Sequence, residues 1–159
     1  MAAVVGVEAE LILNLQGDEP MLRPEHFEFL IPPVTGGQSS VSTLKVEMSL
    51  EDAQDPNKVK VVSDHMGKAL YFSRHPIPFQ READDPVHFY KHIGIYAYRK
   101  EALQVFYSLP QSALEISERL EQLRFLENGI AIQVVETLHD TIGVDTEKDL
   151  RQVETLLSK

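Results

Sequence analysis

An α/β fold on a mixed sheet is predicted by three observations. An apolar run, Leu11–Leu15, breaks into the polar cluster Gln16-Gly17-Asp18-Glu19 and then Pro20. Extended and amphipathic segments alternate along the whole chain. Between residues 58 and 98 the helical period disappears, which marks an antiparallel excursion inside the α/β pattern.

The run at 11–15 reads as a buried strand with Asn14 as its polar interruption. Gly17 permits a tight bend, and Pro20 ends ladder pairing. The polar cluster is therefore expected at the carboxyl end of a buried strand, where open α/β sheets hold ligands. Adjacent carboxylates there suit a hard cation such as Mg2+. They equally suit an acidic turn with no ligand.

Pro24–Leu30 reads as a short helix opened by proline and stopped by Pro32-Pro33. Val41–Met48 and Val59–Ser63 read as strands. Ala69–Ser73 follows the turn Asp64-His65-Met66-Gly67, making 58–73 a hairpin. Prolines 76 and 78 keep residues 74–79 extended. Phe89–Tyr98 is a strand in which Gly94 marks a bulge or a close backbone contact. Lys100–Ser108 is helical. Ala113–Asn128 is expected to be one helix, with Ile116, Leu120 and Leu123 on its buried stripe and Gly129 capping it. Ile130–Val135 is a buried strand. The last helix spans 147–157, with Leu150, Val153 and Leu157 facing inward.

The 159 residues suffice for a single domain with a sizeable core, and 43% apolar with 25% charged residues is an ordinary globular composition. A net charge of −10 argues against a nucleic-acid partner but not against a small anionic substrate, which a few arginines can hold. The absence of cysteine excludes disulfides and thiol chemistry. No apolar run is long enough to span a membrane, and the first residues lack a basic signal region. A cytoplasmic location is the expectation.

Single residues give weaker pointers. Arg74 offers a guanidinium for a carboxylate or phosphate, or a surface ion pair. His92 and Tyr96, four apart on a strand, share a face. Glu121 and Gln122 lie on the amphipathic segment, and a solvated face explains them equally well. Asp145 precedes Thr146 at the start of the last helix, where either residue could act as N-cap. Phosphate-loop, dinucleotide, zinc and serine-hydrolase motifs are all lacking.

In order, however, five segments resemble one family. They are Asn14-Leu15-Gln16-Gly17-Asp18-Glu19-Pro20, Ala69-Leu70-Tyr71-Phe72-Ser73-Arg74-His75-Pro76-Ile77-Pro78, His92-Ile93-Gly94-Ile95-Tyr96-Ala97-Tyr98-Arg99, Leu120-Glu121-Gln122-Leu123-Arg124 and Gly143-Val144-Asp145-Thr146. The series is similar to 3-deoxy-manno-octulosonate cytidylyltransferase, the CMP-Kdo synthetase family, over essentially all 159 residues.

The resemblance implies a Rossmann-like nucleotide-diphospho-sugar transferase fold. It implies cytidylyl transfer from CTP to the acidic sugar Kdo, releasing pyrophosphate, for lipopolysaccharide synthesis. The anomeric hydroxyl of Kdo attacks the α-phosphate in line, with Mg2+ as cofactor. It assigns Asp18 and Asp145 as catalytic metal carboxylates and Gln16 as a sugar contact. It gives Arg74, His92, Tyr96, Glu121 and Gln122 to the Kdo carboxylate and hydroxyls. Family members pair through the antiparallel excursion, so a homodimer is expected.

Two departures accompany the likeness. Phe79 stands where the family usually has tryptophan. Nothing matches the family's N-terminal phosphate-loop unit, and residues 1–10 read as a helix tail. The expectation is an N-terminally truncated chain that turns over CTP and Kdo poorly. A non-catalytic, self-associating binding protein on the same scaffold is the alternative, and a nucleotidyltransferase for another sugar acid is a third.

Overall fold

The computed structural model describes residues 8–17, 19–82, 86–144 and 147–158. Expectations for Asp18, Asp145, Thr146 and residues 1–7 therefore lie outside the described residues. The element order is β1 Leu11–Asn14, α1 Pro24–Leu30, α2 Pro32–Thr35, β2 Val41–Met48, α3 Leu50–Ala53, β3 Lys60–Ser63, β4 Ala69–Ser73, β5 Phe89–Arg99, α4 Lys100–Ser108, α5 Ala113–Glu118, α6 Leu123–Glu127, β6 Gln133–Glu136 and α7 Glu147–Leu157.

The eleven-residue β5 is the axis of the sheet. Its one edge pairs with β2 along nearly the whole length, antiparallel, and β2 in turn pairs parallel with β6. Its other edge is shared. β3 meets it at Lys60↔Lys91, and β1 meets it antiparallel from Leu11↔Arg99 to Asn14↔Tyr96. The hairpin β3–β4 closes the sheet as expected, and the order is β4-β3-β5-β2-β6 with β1 beside β5. Between the ends of β1 and β3 the edge of β5 carries no strand among the described residues.

β5 buries different residues on its two faces, as strand alternation requires. Ile93, Ile95 and Ala97 join Leu44, Val46, Leu30 and Val34 under α1 and α2. Tyr96 and Tyr98 face the opposite layer, against Leu103 and Phe106 of α4 and Leu123 and Phe125 of α6. The result is a sheet between two helical layers. Gly94 does mark a bulge. One step on β2, from Thr43 to Leu44, corresponds to three on β5, from Tyr96 to Ile93. Because two residues are inserted, the alternation of faces is preserved across the irregularity.

Four expectations are corrected, for β1, for the helix at 113–128, for Ile116 and for the inward face of α7. β1 is not a buried strand: Leu13 and Leu15 are exposed, because β1 pairs only with β5 among the described residues. The segment 113–128 is two helices rather than one. α5 ends at Glu118, and Arg119 adopts left-handed φ 57° with the Leu120 N–H donating to the Glu115 carbonyl.

The cause of this break is tertiary. The Glu118 carboxylate accepts from Ser73 Oγ at 2.7 Å and from the Arg74 N–H at 2.8 Å, while its carbonyl accepts from Arg74 Nε at 2.9 Å. That carbonyl is thus committed to β4 instead of the next helical turn. Ile116 is left exposed, whereas Leu120 and Leu123 are buried. Gly129 does end α6, with φ 72° and paired bonds from Gly129 N to Leu126 O and Ile130 N to Phe125 O. In α7, Val153 is buried but Leu150 and Leu157 are exposed. Among the described residues no helix is long and apolar enough to cross a membrane.

Candidate active site

The gap on the edge of β5 opens into a cavity of about 510 Å³. Its floor is β5, through His92, Gly94, Tyr96 and Tyr98. One wall is Ile12, Leu13, Asn14 and Gln16 from β1 and its exit. The other is Val59, Arg74 and the turn Arg119-Leu120-Glu121-Gln122. All six residues assigned to sugar binding by resemblance therefore line one cavity, although they come from four separate segments. Closeness to Gly94 matters for Gln16: a Cβ at Gly94 would stand 3.7 Å from Gln16 Cγ.

The break at Arg119 is what turns Glu121 and Gln122 toward the cavity. Had 113–128 been one helix, their directions would have been set by the stripe of Leu120 and Leu123. Gln122 is nearly buried and Glu121 is exposed.

Arg74 is held by main-chain oxygens. Nε donates to the Glu118 carbonyl and Nη1 to the Pro56 carbonyl, both at 2.9 Å. Its own carbonyl accepts from Nζ of the fully buried Lys60 at 2.5 Å. Among the described residues no carboxylate oxygen lies within ion-pair distance of the guanidinium. Two of its five N–H groups are engaged among the described residues, which leaves three for a ligand. Burial alone would raise the Glu118 carboxyl, but the Arg74 N–H and the Ser73 and Tyr71 hydroxyls hold it below the usual range.

His92 and Tyr96 share a face, with ring centroids 5.4 Å apart, and Tyr98 stacks on Tyr96 at 5.4 Å. Burial, assisted by the neighbouring Lys91 ammonium, pulls the His92 imidazole down to about 3. It is therefore neutral near pH 7. Burial pushes the Tyr96 and Tyr98 hydroxyls up, and the field of Glu121 adds to both. The Tyr96 hydroxyl lies near Thr43 and makes no hydrogen bond of ordinary geometry. A buried hydroxyl without a partner is costly unless a ligand or water completes it.

The cavity thus offers one guanidinium with spare donors, neutral hydrogen-bonding groups and an aromatic floor. That inventory suits a polyhydroxylated acid. The segments flanking Asp18 and Asp145 both reach β5. Gln16 packs over Gly94, and Lys91 Nζ donates to the Thr141 carbonyl at 2.6 Å and pairs with Asp140 at 2.5 Å. The described residues themselves contain no cluster of three metal-ligating side chains.

Sequence reasoning passed over Asn14, Tyr98 and Arg119. Asn14 and Tyr98 lay inside segments whose neighbours were singled out. Arg119 gave no signal, since left-handed backbone is normally announced by glycine or asparagine.

A sheet between helical layers, with a polar cavity at the break in its strand edge, is a fold that this chain shares with a solved nucleotide-sugar synthetase. The sequence profile of the family described as Cytidylyltransferase matches residues 1–136, and the chain belongs to that family. Among curated relatives, 3-deoxy-manno-octulosonate cytidylyltransferase of Koribacter versatilis (strain Ellin345) is 52% identical over 151 residues, covering 95% of this chain and 58% of the relative. The enzyme of the same name from Acidobacterium capsulatum is 54% identical, covering 95% and 62%. A CMP:2-keto-3-deoxy-manno-octonic acid synthetase solved with CTP superposes with a TM-score of 0.92 at 43% identity, covering 99% of this chain and 65% of the other. The chain spans roughly three-fifths of the length of these relatives.

Proposed function

We propose that this chain forms the sugar-acid side of an enzyme that transfers a cytidylyl group from CTP to Kdo, releasing pyrophosphate, for lipopolysaccharide synthesis in the cytoplasm. The observation that carries the reading is the composition of the cavity. Arg74, with no carboxylate partner among the described residues, shares one pocket with the neutral His92 and with Tyr96, Glu121, Gln122 and Gln16. A guanidinium takes the Kdo carboxylate with charge-assisted hydrogen bonds. Amide, imidazole, phenol and carboxylate groups take the hydroxyls and orient the ring, so that its anomeric oxygen is held for in-line attack on the α-phosphate.

Asp18 and Asp145 are the proposed catalytic carboxylates, and as hard oxygen donors they suit Mg2+. Bound there, the ion would neutralise phosphate charge as the pyrophosphate leaves. Gln16, two residues from Asp18, packs over Gly94 on the cavity face of β5, and Thr141, four residues from Asp145, accepts from Lys91 of the same strand. A homodimer through residues 58–98 is proposed on the exposure of Met66, Leu70 and Phe79, three large apolar side chains in that stretch.

Calorimetry tests the reading. Kdo binding should be detected, CTP binding should depend on Mg2+, and Asp18→Ala should abolish the metal dependence. Absence of any ligand heat would favour a non-catalytic scaffold. By itself the chain, with about three-fifths of the length of its relatives, is expected to release pyrophosphate slowly from CTP and Kdo. Robust turnover would contradict that expectation.

A further inference from the structure

The bulge in β5 leaves two carbonyls, those of Ile93 and Ile95, turned toward a single side chain. Thr43 Oγ1 lies 3.1 Å from Ile93 O and 2.8 Å from Ile95 O. The same oxygen lies 2.9 Å from His92 Nε2. Thr43 is completely buried, so water cannot adjust the arrangement.

The hydroxyl has one proton and neither carbonyl has any. If Thr43 gave its proton to His92, three oxygen atoms would crowd together with no hydrogen between them. If it gives the proton to a carbonyl, its lone pair requires a donor, and Nε2–H is the ring atom in reach. The second arrangement is the better one: the single proton lies toward the nearer carbonyl, Ile95 O, Nε2–H donates to Oγ1, and only the longer Ile93 contact is left without a hydrogen of its own.

We propose that Thr43 is a positioning residue that fixes His92 as the Nε2–H tautomer, so that Nδ1 meets the ligand as a bare hydrogen-bond acceptor. Such an acceptor takes a hydroxyl and repels a carboxylate. The cavity therefore sorts the two ends of a sugar acid: the anionic group goes to Arg74 and a hydroxyl goes to His92. The surroundings of the ring agree. Phe72 meets it edge-on at 5.0 Å and supplies no acceptor, Tyr96 is tilted against it at 5.4 Å, and among the described residues the ring's hydrogen bond is made by Nε2 and none by Nδ1. This inference rests on the sugar-acid reading for the identity of the ligand, but not for the tautomer.

Nitrogen-15 NMR of the histidine-labelled chain at pH 7 tests it, with His92→Gln identifying the resonances. The couplings between ring protons and ring nitrogens distinguish the two neutral tautomers. Wild type and Thr43→Ser should show Nε2–H. Thr43→Val, which keeps the shape and removes the oxygen, should show a mixture or Nδ1–H. Kdo should bind to Thr43→Val about tenfold more weakly, the loss of one buried hydrogen bond, and to Thr43→Ser within about twofold of wild type. An Nδ1–H or protonated ring in the wild type overturns the proposal, whether or not the valine variant folds. A wild-type Nε2–H ring whose Nδ1 resonance ignores added Kdo keeps the tautomer assignment and overturns the sugar-acid role of His92.

Discussion

Replacing Arg74 by alanine gives the most direct test of the proposed recognition of an acid. Two of the five guanidinium N–H groups are committed to the carbonyls of Glu118 and Pro56, which orient the side chain from behind. Three remain, enough for a forked contact with a carboxylate. A hydrogen bond to a charged group contributes about 1.5–3 kcal/mol net. Arg74 is only partly buried, so two such bonds are not summed, and one is taken as the net effect. At about 1.4 kcal/mol per decade this corresponds to a roughly 10- to 150-fold rise in Kd for Kdo.

Calorimetry with Kdo and with its C1 amide isolates the carboxylate. Wild type should prefer the acid, and Arg74→Ala should bind both alike. Lysine at 74 should recover only part of the preference, since one ammonium cannot reach both carbonyls and fork a carboxylate. If Arg74→Ala still prefers the acid by the wild-type ratio, the guanidinium is not the carboxylate receptor.

Other outcomes follow from the same geometry. Glu115 is buried and paired with Arg124, whose hydrogen bonds hold the carboxyl low. Glu115→Ala should cost about 3 kcal/mol and lower Tm by roughly 10 °C in calorimetric melts, with much of the loss recovered by adding Arg124→Met. His92 has its folded value near 3 against 6.5 unfolded, so as pH falls below 6.5 the unfolded chain takes up the proton first. Stability contributed this way is complete above pH 6.5 and lost toward pH 3, and His92→Gln should flatten that part of a Tm-versus-pH curve. Gly67 has φ 76°, and a Cβ there would lie 2.5 Å from Gln133 Nε2 and 3.1 Å from the Val134 carbonyl. Gly67→Ala should therefore destabilise by about 1–3 kcal/mol in urea titrations, whereas Gly129→Ala, with open space around it, should cost only the backbone strain.

Most of the strands were legible because alternation and glycine carry local information, whereas their order in the sheet was not read. Gly94 announced the bulge, and the hairpin at 58–73 followed from its turn. The division of 113–128 was not legible. Its period is helical throughout, and the cause of the break is a partner 44 residues away, Glu118 bonding to Arg74. The cavity residues were readable only as an ordered set, since an arginine after a strand or a histidine within one is ordinary by itself. Thr43 was invisible for a plainer reason. Threonine is common in strands, and its three contacts exist only once β2 and β5 are aligned. β1 was misjudged because apolar content does not say how many neighbours a strand has.

The stacked phenols on the cavity floor also give the molecule a built-in optical reporter. The chain has five tyrosines and no tryptophan, so ultraviolet emission is tyrosine emission alone, and Tyr96 and Tyr98 supply two of its five sources. Both hydroxyls resist ionisation, so a change of pH within the neutral range does not itself alter their signal. Occupancy can be followed by fluorescence quenching in the unmodified protein, without a dye or an added indole.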